Sequence, residues 1–597
     1  MDATDPEHRA VESDQPLYIP LLQGRVVRLL ELAPGQWNDP VITRLFISEL
    51  PYTPPYDAIS YVWGDPQKTV PIACNGRRLD VTVSLNAAFR RVRLPDRSRI
   101  VWADAVCINQ QHLDERGHQV SFMNDVYNYA REVLVCLGDD VDGGAKDVAA
   151  VITGTAEVIS KYDSIRSMPI LPADDLVYHD SRWKSVAAML QLPWFTRAWV
   201  IQEVGLAKNP RILYGKAEFS YRDLIKVGNW ITRCAPNLQA RASLSFYAIH
   251  LDWENWGPDW RKDATYPDED FFQLLNHSRW LGCSDHRDKI YAFLGHPLAR
   301  SYPGPGLVVQ PDYTKDPCEV YLDLAIQLVR RHGLRVLSAT EHDDQTLWED
   351  VPSWVPFWSP VEWVSNSLGV HQDFYYQAST ISGAELIFID DDNVLHVKGF
   401  VLDTVAEAYR FTAADWDASP DRLRSQQPNT PRPKVLEELW SIVNDTEKPS
   451  IYEGNEREHA FSLSLCAGLS TYNRAEDDIK QHRRDFAAYW RLVFPTFHAD
   501  SNNGDAERYW VDMKLQIDGR SFLWTEKGYM GVGPCITQPG DLLCILFGAK
   551  VPFVLRQVDD PGRFKLVGEA YCHGIMQGEA MDMLRKGAFT EETFKIC

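Results

Sequence analysis

Residues 100–110, Ile-Val-Trp-Ala-Asp-Ala-Val-Cys-Ile-Asn-Gln, constrain the fold of this chain more than any other stretch. From 100 to 106, apolar and β-branched side chains crowd together with no Pro or Gly to break them. Such a run reads as a strand buried on both faces, as in a parallel sheet. Asp104 lies inside it, and a buried carboxylate is costly unless it is paired or hydrogen-bonded. Two roles fit Asp104. It ties down a neighbouring loop, or it lines a crevice at the carboxyl end of the sheet, where open α/β folds bind ligands.

The surroundings agree with a sheet. Residues 25–30 and 43–47 alternate as two strands, and residues 56–63 form a third, ended by Gly64-Asp65-Pro66. Residues 71–74 and 79–83 flank Asn75-Gly76, the strongest short hairpin signal. A helix through Leu85, Ala88, Phe89 and Val92 follows, with Ser84 as its cap. Another runs through Val120, Met123, Val126, Tyr127 and Ala130, capped by Asp114. Residues 133–138 are a short apolar strand, 194–206 an amphipathic helix and 211–214 a further strand. Strands alternating with helices argue for a parallel α/β sheet with right-handed crossovers.

The expected organisation is an acidic disordered tail at 1–15, an N-terminal β segment at 16–55 and an α/β domain at 56–215. A helical region follows at 216–350, with residues 288–294 among its clearer segments. The β-rich C-terminal region at 351–597 carries a helical insert at about 434–497, and its last strands are joined by the turn Asp559-Asp560-Pro561-Gly562.

A net charge of −22 argues against general nucleic-acid binding, which needs clustered Lys and Arg, and against docking on anionic membranes. The 11 cysteines are scattered singly with no C-x-x-C pair, as expected of reduced thiols rather than a disulfide framework. No signal peptide or membrane-length apolar run is read, so the expected location is cytoplasmic. No G-x-G-x-x-G follows a strand, and no P-loop, H-E-x-x-H or Cys/His ligand spacing occurs. No metal or bound cofactor is therefore expected. Cys107 near His112 reads as a core thiol beside a surface histidine rather than a nucleophile and its base.

That leaves carboxylates. Glu203 stands four residues after Trp199, on one face if 194–206 is a helix. A carboxylate beside a large aromatic face suits sugar chemistry, where it stabilises an oxocarbenium-like centre or holds ribose hydroxyls. The alternative is a partly buried glutamate paired with an arginine such as Arg197 or Arg116.

Taken together, these segments resemble the fungal heterokaryon incompatibility (HET) domain. The carrying motifs are Tyr56-Asp57-Ala58-Ile59-Ser60-Tyr61-Val62-Trp63-Gly64-Asp65 and Trp102-Ala103-Asp104-Ala105-Val106-Cys107-Ile108-Asn109-Gln110, then Glu115-Arg116 with Gln119-Val120, then residues 133–138, and last Trp194-Phe195-Thr196-Arg197-Ala198-Trp199-Val200-Ile201-Gln202-Glu203. Pro352-Ser353-Trp354-Val355-Pro356 and residues 567–580 are similar to segments that accompany such domains. The resemblance implies non-self recognition and programmed cell death in a filamentous fungus, with self-association or an incompatibility partner protein. It does not specify a reaction.

A more distant resemblance is to the Toll/interleukin-receptor (TIR) domain, through the strand at Tyr56-Asp57…Ser60-Tyr61 and the helix Trp199-Val200-Ile201-Gln202-Glu203-Val204. It implies a TIR-like parallel sheet with flanking helices and NAD as substrate. Glu203 would be catalytic, with Ser60, Tyr61, Trp63, Asp104 and Trp199 around the nucleotide. The hairpin at 71–83 and the long stretch between 138 and Glu203 depart from that family's pattern. A non-catalytic signalling or scaffold module is the competing expectation. A third is a ligand sensor whose C-terminal part offers His573 and Glu579.

Overall fold

The computed structural model describes residues 17–172, 174–235, 237–238, 270–300, 307–348, 351–358, 367–371, 375–380, 387–412, 419–425, 434–454, 456–470, 473–497, 499 and 501–597. The expected tail at 1–15 lies outside the described residues, as do residues 239–269 of the expected helical region. The chain divides into two compact units, Met1–Pro317 and Cys318–Cys597.

The first unit is built on a nine-stranded mixed sheet. In chain order its strands are β1 (Val26–Leu32), β2 (Ile42–Glu49), β3 (Asp57–Tyr61), β4 (Thr69–Cys74), β5 (Arg77–Thr82), β6 (Arg99–Trp102), β7 (Glu132–Gly138), β8 (Pro210–Tyr214) and β9 (Ala217–Ser220). Across the sheet they run β5-β4-β2-β1-β6-β3-β7-β8-β9. The four strands β6-β3-β7-β8 are mutually parallel. The flanks are mixed: β1 pairs antiparallel with both β2 and β6, and β9 antiparallel with β8. The strands at 26–49, set apart in the sequence as an N-terminal segment, thus extend the same sheet. The hairpin forms at Asn75-Gly76, both with positive φ, as a two-residue primed turn demands.

Numbered by appearance in the chain, the parallel strands stand in the order 2-1-3-4. The chain therefore reverses direction beside β3, the first of them. Ligand crevices of open α/β sheets form at such a switch point, outside the carboxyl ends of the strands. β3 is buried at all five positions, as a central parallel strand must be. Its first residue, Asp57, is ion-paired to Arg99 at 2.8 Å and Arg131 at 2.6 Å, which satisfies the buried charge at the end remote from the crevice.

Three expectations are corrected. The strand of 100–106 stops at Trp102. Asp104 instead opens a one-turn helix, α2 (Asp104–Cys107), after α1 (Val83–Val92). Its side chain accepts from the Ala105 N–H at 2.8 Å, a local bond that competes with a strand ladder. The helix of 114–130 breaks at Phe122 into α3 (Leu113–Ser121) and α4 (Met123–Tyr129), and His112 caps it in place of Asp114. Likewise, α1 is capped by Thr82 rather than Ser84.

A buried ion pair ties the sheet to these helices. Arg28 of β1 meets Glu115 of α3 through two bonds, at 2.6 and 3.0 Å. The same carboxylate accepts from the Leu21 and Asn109 backbone N–H groups at 3.1 and 2.9 Å. Both side chains are all but inaccessible to solvent.

The second unit holds the expected β-rich region. After β10 (Ile387–Ile389) comes the long strand β11 (Leu395–Arg410), then the small pair β12 (Leu469–Ser470) and β13 (Asn473–Arg474). The rest are β14 (Arg520–Thr525), β15 (Met530–Pro534), β16 (Leu542–Leu546), β17 (Phe553–Gln557), β18 (Arg563–Glu569), β19 (Tyr571–Cys572) and β20 (Glu592–Ile596). Strands β16-β17-β18-β20-β11 close on themselves, because β11 also pairs β16. Closure removes free sheet edges. β11 spans both the ring and the extension β14-β15-β19, and it turns through bulges at 401/403 and 405/407. The helical insert is present as Lys434–Asn444, Glu456–Leu465 and Ile479–Val493. Among the described residues no helix is long and apolar enough to cross a membrane.

Replacing Glu115 by Gln leaves the Arg28 guanidinium buried without its counter-charge. The expected cost is about 3–5 kcal/mol, read as a lower urea midpoint for the variant than for the wild type.

Candidate functional site

Two chain segments far apart in sequence meet at the carboxyl end of β3. One is β3 itself with its continuation, Ser60 to Trp63. The other comes from residues 193–205. Sequence reading makes 194–206 one helix; the structure breaks it. Pro193–Thr196 is a 3-10 turn, Arg197 is extended (φ −86°, ψ 137°), and α7 begins only at Val200 and runs to Gly205, after α5 (Ala145–Ile159) and α6 (Trp183–Leu190). The break has a tertiary cause. Thr196 and Ala198 exchange backbone hydrogen bonds with Gly282, at 2.6 and 2.9 Å, forming an isolated bridge. That pairing overrides helical propensity.

The break turns Arg197 inward. Its guanidinium lies 3.6 Å from Glu203 and donates to the Tyr61 carbonyl. Glu203, 2% exposed, also accepts a short hydrogen bond from the Ser60 hydroxyl, which in turn accepts from the Trp194 indole N–H at 2.8 Å. A Trp194–Ser60–Glu203 relay results. Burial pushes the Glu203 carboxyl up, and Arg197 and the Ser60 hydrogen bond pull it back down. Of the two arginines weighed as partners for Glu203, Arg197 takes that place. Arg116 lies instead 3.3 Å from Asp285 and 3.6 Å from Asp288.

Asp104 and Trp63 stand at the mouth. The Trp63 indole, 38% exposed, donates to Asp104 at 2.8 Å, and the Gln110 amide donates to the Asp104 carbonyl at 3.0 Å. These bonds order the loop that carries Asp104, as the first of its two readings has it. Burial raises its carboxyl, against Arg197 and the Trp63 bond. Arg197 is thus the cation felt by both carboxylates. Burial raises the Tyr61 phenol well above its ordinary value, with Asp104 adding to the rise and Arg197 opposing it. Tyr127 of α4 adds a second phenol in the field of Glu203 and Asp104.

The structure therefore brings together Glu203, Ser60, Tyr61, Asp104 and Trp63. Trp199 goes elsewhere: its indole donates to Asp288 at 3.0 Å. Trp199 is the N-cap of α7 in helical conformation, one turn before Glu203, whose N–H donates to the Trp199 carbonyl at 3.0 Å. Sequence reasoning missed Trp194 as the donor to Ser60 and Tyr127 as a wall. Trp194 sits in the same motif as Glu203, but no spacing rule ties its indole to a residue 134 positions away.

The C-terminal pair is also near a cleft. His573 and Glu579 line a small opening of about 40 Å³ with Tyr375, Tyr376 and Tyr571. Glu579 accepts from the Gln577 N–H at 2.8 Å, and His573 lies 3.3 Å from the Tyr571 hydroxyl, so both are engaged within their own turn. Among the described residues no group of His, Cys, Asp or Glu is arranged to hold a metal.

Arg197→Met leaves Glu203 buried without its cation, so its folded pKa rises further above the unfolded value. Stability is then retained below the unfolded pKa and lost as pH rises through the folded one. The expected cost is about 3–5 kcal/mol at pH 7 and smaller near pH 4, measured by urea unfolding of both proteins across that range.

Comparison with known proteins follows the same two regions. Residues 56–203 match the family model described as heterokaryon incompatibility protein (HET), and residues 453–590 match that of the Het-6 beta-barrel domain. A curated relative, heterokaryon incompatibility protein 6, OR allele, of Neurospora crassa, is 25% identical over 94% of this chain and 95% of its own length. No solved structure matches. The HET match ends on Glu203 itself.

Proposed function

We propose that this chain, a HET-domain protein, acts in fungal non-self recognition, and that it triggers programmed cell death by cleaving the nicotinamide–ribose bond of NAD. The incompatibility role rests on the two domain matches and on the Neurospora relative. The chemistry rests on one observation: a carboxylate drawn back across 143 residues to the carboxyl end of β3, at the switch point of the parallel strands. The 2-1-3-4 order of those strands is in keeping with a TIR-like core.

In this reading Glu203 stabilises the oxocarbenium-like charge that develops on the ribose as the C–N bond breaks. The bonding pair leaves with nicotinamide, and water adds to the ribose carbon and releases a proton. Trp63, its ring oriented by Asp104, offers a face to a base at the mouth. NAD is the substrate, and no cofactor is invoked. Glu203 is only 2% exposed and faces Arg197, so the arrangement described is a resting one, and activity requires assembly with a second copy or an incompatibility partner in the cytoplasm.

That same burial favours a second reading, in which the Glu203–Arg197 pair is structural and the domain signals by contact alone. Expression in yeast separates the two. NAD depletion by the wild type that is lost in Glu203→Gln supports hydrolysis. Equal depletion by both removes it, and toxicity with no depletion by either supports the contact reading.

A further inference from the structure

Residues 282–295 lie outside both family matches, yet they grip the parts that carry the site. Gly282 bonds the backbone on both sides of Arg197, at Thr196 and Ala198. Asp288 accepts from the Trp199 indole at 3.0 Å and from the Tyr313 hydroxyl at 2.6 Å, with Arg116 at 3.6 Å. Gln202, next to Glu203, donates to the Ala292 carbonyl at 3.0 Å and accepts from the Asn124 N–H at 2.8 Å in the amide orientation that satisfies both. Gly295 packs so closely on α4 and α7 that a Cβ there would stand 2.6 Å from Asn124 Cβ and 2.8 Å from Gln202 Nε2.

What these contacts enforce is the break at Arg197. The pattern of 194–206 is that of one continuous helix, and the Gly282 bridge holds the backbone on both sides of an extended Arg197. In an unbroken helix, positions 197 and 203 stand about 1.7 turns apart and do not share a face. Arg197 would then swing off both Glu203 and the Tyr61 carbonyl. An unbroken helix would thus give the same residues a second arrangement with Glu203 open, and 282–295 makes contacts that favour the capped one.

We propose that 282–295 is a strap that keeps the site closed, with Trp199 and Asp288 as positioning residues that latch it, and that lifting the strap exposes Glu203. As a regulatory device it rests on the reading of Glu203 as the functional carboxylate. The exposure itself is tested without NAD.

The test is carboxyl footprinting of the full chain: carbodiimide coupling to glycine ethyl ester, followed by peptide mass spectrometry. Trp199→Phe keeps an aromatic ring and removes the indole N–H that donates to Asp288. Gly295→Ala forces the strap off α7. In the wild type, Glu203 stays essentially unlabelled. In both variants it is expected to label about tenfold faster, the effect of losing about one hydrogen bond to a charged group. Asp57 and Glu115, equally buried in the first unit, serve as internal controls and stay unlabelled. An unchanged Glu203 rate in both variants overturns the strap. So does a joint rise at Asp57 and Glu115, which reports unfolding rather than local release. If Glu203 opens as expected but wild type and Glu203→Gln deplete NAD equally in yeast, the hydrolase reading fails and the strap stands.

Discussion

A carboxylate sealed at the end of a central strand has to be matched where it lies, and the first unit is arranged so that Glu203 is. Ionised and out of water, it would cost several kcal/mol without partners. Ser60 gives it a hydroxyl, Trp194 holds that hydroxyl from behind, and Arg197 supplies charge. Each partner depends on a different part of the fold. Ser60 needs β3 to be central, Trp194 needs the 3-10 turn after Pro193, and Arg197 needs the chain to stop being helical. At the other end of β3, Asp57 is matched by Arg99 and Arg131 in the same way. The strand is thus fixed by ionic groups at both ends, one set remote from the crevice and one set at it.

Arg197 gives the site its ambiguity. A cation against the carboxylate makes the pair stable and, for sugar chemistry, silent, since a neutralised carboxylate does little for a positive transition state. Under the proposed hydrolase reading, stability of the resting fold and activity of the site are opposed at one side chain, a common tension where function needs a strained or capped group. The 282–295 segment resolves it structurally, by holding the backbone on either side of Arg197 through Gly282.

The order of strands and helices in the first unit was legible because it follows from local rules: apolar runs for β3 and β7, Asn75-Gly76 for the hairpin, helical spacing around Val120–Tyr127. The C-terminal strands at 542–569 were legible for the same reasons. The details that make the site were not. Asp104 looked like part of a strand because the apolar residues around it continue, but its carboxylate accepts from the Ala105 N–H and the backbone turns into a helix there. The 194–206 pattern is helical, and contacts distant in sequence, a bridge to Gly282 among them, accompany its break. β14 and β20 were not read at all: the first is short and starts with the buried Arg520, the second has an alternation too brief to stand out from its charged neighbours, and both exist because β11 is long enough to pair them. Local signals report elements, whereas partners distant in sequence decide where those elements stop.

The claim on which the rest stands is that Ser60 and Glu203 interact across 143 residues in the folded chain. A double-mutant cycle on stability, with Ser60→Ala, Glu203→Gln and the pair, measures it directly. The account predicts a coupling of about 1 kcal/mol or more, in the range of contacting buried residues. Additive effects, with no coupling beyond error, would contradict it.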